Sequence, residues 1–278
     1  MAEEVVLLES AADNRHIAVL TLNRPEAGNA LNTPMLEAMA DRFDEVEADT
    51  TFRVMIMRSA GKHASFGADL NELVVKAPDG YANMSRSDAQ KHVADGRAAA
   101  QKLFDLRVPT IGIMHSFCLG GGAEFYTLCD VLYGASGGKE EGGLVYGFPE
   151  PTIGVMAGWM GPEVLTRRIG AGFAKDLLCS GRMIGAADAL AMGVVQALYP
   201  KEELFDRALK WAGKVAANAP LAIESTRRTL NRVLFPAFRE VLGSTGAETV
   251  ENLMTADFIK GATKILTKSK DHPAYDRR

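Results

Sequence analysis

Up to about residue 200, short apolar runs alternate with segments whose apolar residues recur at helical spacing. Beyond that point only the helical spacing continues. The runs are Ile17–Leu22 (IAVLTL), Arg53–Arg58, Thr110–Met114, Val131–Gly134 and Val194–Leu198. Between the first two, Met35, Leu36, Met39, Phe43 and Val46 mark one helix, opened by Thr33-Pro34; Asp88–Leu106 marks another. Such alternation predicts an α/β fold with parallel pairing. Short helices are predicted at Pro162–Ile169, Phe173–Leu178 and Ala186–Met192. Glu202–Ala217, Leu221–Leu234, Ala237–Leu253 and Ala256–Lys268 predict a helical tail, whose apolar faces need either the core or another subunit. With 278 residues, 47% of them hydrophobic, the chain can bury one large core or a core plus a smaller unit. The expected division is 1–200 and 201–278.

Charge and composition exclude several classes. A net charge of −4 gives no basis for non-specific nucleic-acid binding. No apolar run is long enough to span a membrane. The start, MAEEVVLLES, is acidic and lacks the layout of a signal or transit peptide. Cys118, Cys129 and Cys179 match no zinc or redox spacing and sit among apolar residues. They read as buried free thiols, as in a reducing cytoplasm. His16, His63, His92, His115 and His272 show no paired ligand spacing, so no metal site is expected.

Chemistry concentrates in His115–Asp130 (HSFCLGGGAEFYTLCD), where Gly120 to Gly122 follow the apolar run Thr110–Met114. A strand that breaks at glycines and restarts as a helix leaves N–H groups unpaired at the helix start, and the helix dipole adds positive potential there. Such a place holds a phosphate, or a carbonyl oxygen that becomes negative during reaction. Glu124, two residues past the last glycine, would stand beside the ligand. The same stretch also reads as a plain tight turn with a surface glutamate.

A second carboxylate, Glu150, lies between prolines in Gly147–Pro151 (GFPEP). It belongs to Tyr146–Gly161, a loop-rich yet apolar segment of the kind that lines pockets. Each glutamate alone reads as the partner of a nearby arginine or amide; with the glycine run they suggest an acid/base pair. Ala135–Gly143 (ASGGKEEGG) reads as the most flexible segment, and Pro78–Ser87 as a mobile loop. Gly134–Gly138 formally fits G-x-S-x-G, but no firm helix start follows it. Lys139 follows glycines without phosphate-loop spacing.

Four separated segments carry a resemblance. Arg24–Leu31 (RPEAGNAL), Phe66–Leu73 (FGADLNEL), His115–Glu124 and Gly147–Gly154 (GFPEPTIG) resemble, in order, four motifs of the enoyl-CoA hydratase/isomerase (crotonase) superfamily. The resemblance covers nearly the full length. It implies a crotonase-like spiral of β-β-α turns with a C-terminal helical trimerisation region. It implies a homotrimer or dimer of trimers. By position it implies an oxyanion hole from the N–H groups of Ala68 and Gly121, with Glu124 and Glu150 as acid/base carboxylates. Thioester and coenzyme A contacts fall near Ala27, Gly28, Ala30, Phe66, Asp69, Leu70 and Gly120. Lys268 is similar to a basic residue that meets the nucleotide end. No permanently bound cofactor is implied, only a substrate carried as a coenzyme A thioester.

Several positions depart from the pattern. Asp130 to Glu150 is longer than usual, with the excess in Ser136–Gly143, so a lengthened loop must deliver Glu150. Trp159 and Met160 are bulky where the family is often small. Phe66 replaces a smaller residue and Asn71 an often basic one. Met160 reads as core, whereas Trp159 reads equally as core or as a wall that shortens the acyl pocket. The leading expectation is hydration of 2-enoyl-CoA thioesters, favoured by the presence of both glutamates. Double-bond isomerisation, ring-thioester hydrolysis or C–C cleavage is the alternative, and a non-catalytic binding member is a third.

Overall fold

The computed structural model describes residues 4–78, 80–234, 238–270, 273 and 275. Its strands are β1 (Val6–Ala11), β2 (Asn14–Leu22), β3 (Val54–Ser59), β4 (Val74–Ala77), β5 (Gly80–Asn83), β6 (Thr110–Met114), β7 (Phe117–Leu119), β8 (Val131–Ala135), β9 (Val145–Gly147), β10 (Met183–Gly185) and β11 (Ala197–Tyr199). Its helices are α1 (Thr33–Ala48), α2 (Leu70–Leu73), α3 (Arg86–Asp105), α4 (Gly121–Thr127), α5 (Gly161–Ser180), α6 (Ala186–Ala191), α7 (Leu204–Ala216), α8 (Pro220–Leu234), α9 (Phe238–Leu253) and α10 (Ala256–Leu266).

The main sheet has the order β1-β2-β3-β6-β8-β11. Only β1 runs antiparallel to its neighbour. The apolar runs are continuous because both faces of the sheet are covered. Ile17, Val19, Val54, Ile56, Ile111 and Ile113 point to α7, which contributes Leu204, Ala208 and Ala212. Ala18, Leu20, Met55 and Met57 point the other way, into the main core with Met35, Met39 and Phe43 of α1. Asn32 caps α1 by accepting from the N–H of Met35.

A second layer, β10-β9-β7, continues the strands of the first. Thus β6 leads to β7 and α4, and β8 leads to β9 and α5, as successive β-β-α turns. Single bridges, Ser65 to Cys118 and Leu31 to Ala68, carry the layer toward the N-terminal turns. A third apolar cluster joins Val93 of α3 to Val250 and Leu253 of α9 and to Phe258 and Ala262 of α10. The buried Arg227 of α8 pairs with Asp130 at 2.8 Å and also donates to the Leu106 carbonyl.

The five expected strands are present, with β11 starting at Ala197. Three-residue β7, β9 and β10 are too short to show a period. Pro78–Ser87, read as a mobile loop, instead contains strand β5, paired with β4 as a hairpin, and the first residues of α3. Ala135–Gly143 also differs from its reading as the loosest segment. After β8 it folds into one 3-10 turn, closed by Gly143 N–H to Gly138 O at 2.9 Å. The two short helices expected at 162–178 are one element broken at Gly170 (φ 79°, ψ 158°). Cys118 and Cys129 are buried free thiols, but Cys179 is exposed. It follows the buried Leu177 by two residues, which the helical period turns toward solvent. Ala237 and His272 lie outside the described residues.

Candidate functional site

Two backbone N–H groups converge where the segment between β3 and α2, residues 60–69, meets the glycine run. In the parallel bridge, Leu31 N–H donates to Gly67 O at 2.8 Å and Leu31 O accepts from Asp69 N–H at 3.0 Å. The N–H of Ala68 between them therefore faces the opposite way. Gly121 opens α4, so its N–H precedes the helical ladder. The chains touch here: a Cβ on Gly67 (φ 86°) would stand 2.9 Å from the Gly121 nitrogen. A Cβ on Gly121 would stand 3.5 Å from the Ala68 nitrogen. Glycine is required at Gly120 (φ 53°, ψ −134°), a conformation that side chains resist.

Glu124, in the first turn of α4, is 2% exposed. Its Oε2 accepts from the N–H groups of Trp159 at 2.7 Å and Gly161 at 2.6 Å, and its Oε1 from Gly158 at 3.2 Å. The 158–161 loop thus wraps the carboxylate. It comes this close because Gly161 has no side chain; a Cβ there would lie 2.7 Å from Glu124 Cγ.

Glu150 reaches the same place through register. Strand β9 pairs with β7, Leu119 opposite Gly147, and Gly120 N–H donates to Gly147 O at 3.0 Å. Three residues on, Glu150 Oε1 lies 3.1 Å from where a Gly120 Cβ would be. The extra residues of 136–143 are absorbed in the closed turn before β9, so they do not shift this register. The residue is partly exposed, but its Oε2 is enclosed and has no hydrogen-bond partner among the described residues. Burial pushes both carboxyls above the ordinary carboxylate range, and Glu150's charge adds to the rise at Glu124. The N–H bonds from the loop oppose the rise at Glu124. They support its charged form, a support that Glu150 Oε2 lacks among the described residues.

Both glutamates, Ala68, Gly121 and Trp159 line one cavity of about 50 Å³ with Leu73, His92, Val93, Val155, Met156, Gly158, Thr249 and Leu253. Trp159 is 4% exposed, so it is both core and wall. Met160 is core. His92, Thr249 and Leu253 carry no mark of a site in the sequence. Each lies on a helix far from the motifs, with nothing local to distinguish it. Burial lowers the His92 pKa to about 4, so it presents a neutral imidazole. Behind the 158–161 loop, Arg97 donates to the Gly158 carbonyl at 2.6 Å and pairs with Glu163 at 3.6 Å. Glu163 also contributes a small rise to the Glu124 pKa.

The other expected contacts lie outside this cavity. Phe66 is 44% exposed, and its ring covers Gly28. The N–H groups of Ala27, Gly28, Ala30, Phe66 and Asp69 are all used within the protein. The Asp69 carboxylate pairs with Arg24 at 2.7 Å and caps α2, which starts at Leu70. Lys268 is exposed just beyond α10. His115 bonds the Gly61 carbonyl through Nε2. A larger cavity of about 560 Å³, between α8 and the α4–α5 region, contains none of the expected site residues. Among the described residues, no three His, Cys, Asp or Glu side chains form a metal cluster.

Two enclosed carboxylate groups beside a pair of outward N–H groups form an arrangement able to move a proton and to hold a developing oxyanion. The sequence pattern of the enoyl-CoA hydratase/isomerase family matches residues 12–272. A short-chain-enoyl-CoA hydratase of Clostridium acetobutylicum is 32% identical over 78% of each chain. A crotonyl-CoA hydratase of Syntrophomonas wolfei is 29% identical over 97% of this chain and 98% of that one. The solved structure of an enoyl-CoA hydratase from Mycobacterium avium subsp. paratuberculosis superposes with a TM-score of 0.81 at 20% identity. It covers 95% of this chain and 99% of that one. The chain belongs to the enoyl-CoA hydratase/isomerase family, and its fold is the crotonase fold.

Proposed function

We propose that this protein hydrates 2-enoyl-CoA thioesters and, in reverse, dehydrates 3-hydroxyacyl-CoA. The observation that carries the reading is the pair of enclosed carboxylates beside the N–H groups of Ala68 and Gly121. Those N–H groups polarise the thioester carbonyl and hold the enolate-like oxygen that forms as water adds at C3. Glu124, fixed by three N–H donors, holds the charge and takes the proton of the attacking water. Glu150, whose Oε2 has no hydrogen-bond partner among the described residues, holds the proton and delivers it to C2. The decisive measurement is loss of the conjugated enoyl absorbance when purified protein meets crotonyl-CoA. No turnover across short and cyclic enoyl-CoAs overturns the reading.

The freedom of Glu150 favours a second reading, double-bond isomerisation, in which that one carboxylate carries a proton between carbons. Conversion of a 3-enoyl-CoA without incorporation of labelled water oxygen identifies it. In either reading coenzyme A passes the Ala27–Ala30 loop and Phe66, with Lys268 near its nucleotide end. The assembly is a homotrimer or dimer of trimers, for which exposed Leu221, Leu230, Val233 and Leu234 of α8 supply apolar surface.

Arg97 positions Glu124 through the Gly158 peptide. In Arg97→Met the Gly158 carbonyl loses its donor and Glu163 its cation. A hydrogen bond from a charged group contributes about 1.5–3 kcal/mol, so kcat should fall about tenfold or more. KM for crotonyl-CoA should stay within about twofold, and Arg97→Lys should recover part of the rate. Equal effects on kcat and KM, or no rescue, would remove the positioning role.

A further inference from the structure

Trp159 crosses the site from one side to the other. The six-membered edge of its indole lies against Gly121, where a Cβ would collide with Cζ3 and Cε3. Its pyrrole edge lies against Gly96, where a Cβ would collide with Nε1 and Cε2. Gly96 sits in the middle of α3, where glycine is a poor helix former. The place is explained by the indole, which fills the space a side chain would take. His92 packs on the ring at 5.1 Å and Phe125 meets it edge-on at 6.0 Å. The indole is therefore held between α3 on one side and α4 on the other.

The space left is small. A cavity of about 50 Å³ holds roughly three to five water-sized groups at ~10–15 Å³ each. With the carbonyl oxygen on Ala68 and Gly121, that room suits a four-carbon enoyl group and the attacking water. A chain several methylenes longer meets the indole, and Leu73, Val93, Val155 and Leu253 close the remaining walls.

From this geometry we infer that Trp159, seated on Gly96, sets acyl length and restricts the protein to short-chain acyl thioesters. The inference rests on the acyl-CoA reading of the site and names its substrate class. The walls beyond the carboxylates are mainly apolar, and the one imidazole among them is neutral. The acyl end is therefore a short hydrocarbon.

Binding tests this apart from turnover. Saturated butyryl-, hexanoyl-, octanoyl- and decanoyl-CoA cannot be hydrated, and each is titrated by calorimetry against the full-length protein. In the wild type, affinity should fall at least about tenfold between butyryl and decanoyl. Trp159→Ala should remove that fall, since each methylene that finds room adds about fourfold in affinity. Trp159→Phe keeps a smaller ring and should give an intermediate profile, including where Trp159→Ala does not fold. Gly96→Ala pushes the indole toward the carboxylates and should steepen the fall.

Decanoyl-CoA binding as tightly as butyryl-CoA in the wild type overturns the gauge. So does an unchanged profile in the two tryptophan variants. A length-dependent profile that Trp159 controls, without hydration of crotonyl-CoA, keeps the gauge and removes only the hydratase reading. No binding of any acyl-CoA overturns both.

Discussion

Glu124→Gln should lower kcat on crotonyl-CoA by about 10²–10⁴, the usual contribution of a positioned acid or base. The amide removes the proton acceptor, and it also misfits the surrounding loop. Both carboxylate oxygens receive N–H donors, from Gly158 on one and from Trp159 and Gly161 on the other. Whichever way the amide turns, its NH₂ faces at least one N–H. The 158–161 loop must then move, and Trp159 with it. Glu124→Gln should therefore gain little or no thermal stability, although it removes a buried charge. The wild-type rate should also follow a bell-shaped pH profile, because the site needs one carboxyl ionised and one protonated. Burial raises both, so both limbs should lie above the ordinary carboxylate pKa of 4.5. Steady-state rates across pH and a melting curve read all three outcomes. A Glu124→Gln rate within about threefold of wild type would falsify the assignment of Glu124 as base, given the loss expected of such a group.

The legible part of this site is the part encoded locally. A strand, a glycine run and a glutamate one turn into the next helix are contiguous, so the Gly121–Glu124 unit follows from residues 110–127 alone. The buried parallel strands are legible for a similar reason: covered on both faces, they appear as unbroken apolar runs. Glu150 is harder. Its prolines and apolar setting mark it, but its arrival beside Gly120 depends on β7 and β9, three residues each, pairing in one register. No periodicity announces a strand that short. The turn at 139–141 that absorbs the longer loop is held by Glu141 accepting from Gly138 N–H, a contact that glycine-rich composition disguises as looseness. His92, Arg97, Thr249 and Leu253 are illegible as site residues because each reads locally as one face of an amphipathic helix. Only packing of α3 against the 158–161 loop and α9 turns those faces toward the carboxylates. Gly96 illustrates the point, since its meaning lies wholly in a tryptophan more than sixty residues away.

Glu150→Gln should show the opposite combination, a large loss of rate with a gain in stability. The rate should again fall by about 10²–10⁴, since the amide cannot deliver a proton to C2. Stability should rise because Glu150 Oε2 is buried with no hydrogen-bond partner among the described residues, and the amide that replaces the carboxyl carries no charge there. The gain depends on pH with a definite sign. The folded-state pKa lies above the ordinary value of 4.5 because burial disfavours the charge. Below 4.5 the group is protonated in both the folded and the unfolded chain, so the charge costs nothing and the substitution is nearly neutral. As pH rises past 4.5 the unfolded chain ionises first. The native state then binds more protons and loses stability until its own carboxyl ionises. The advantage of Glu150→Gln should therefore be near zero at about pH 4, grow through the interval up to the raised pKa, and stay constant above it. A gain on the order of 1 kcal/mol corresponds to a melting temperature higher by about 2–4 °C in a chain of this size. Melting curves of both proteins from about pH 4 to about pH 9 decide the matter. A gain as large at the acid end as at the alkaline end would mean that packing, rather than the buried charge, distinguishes the two side chains. If Glu150→Gln gains stability where Glu124→Gln does not, the two carboxylates do different work: the one surrounded by N–H donors holds charge, and the other moves a proton.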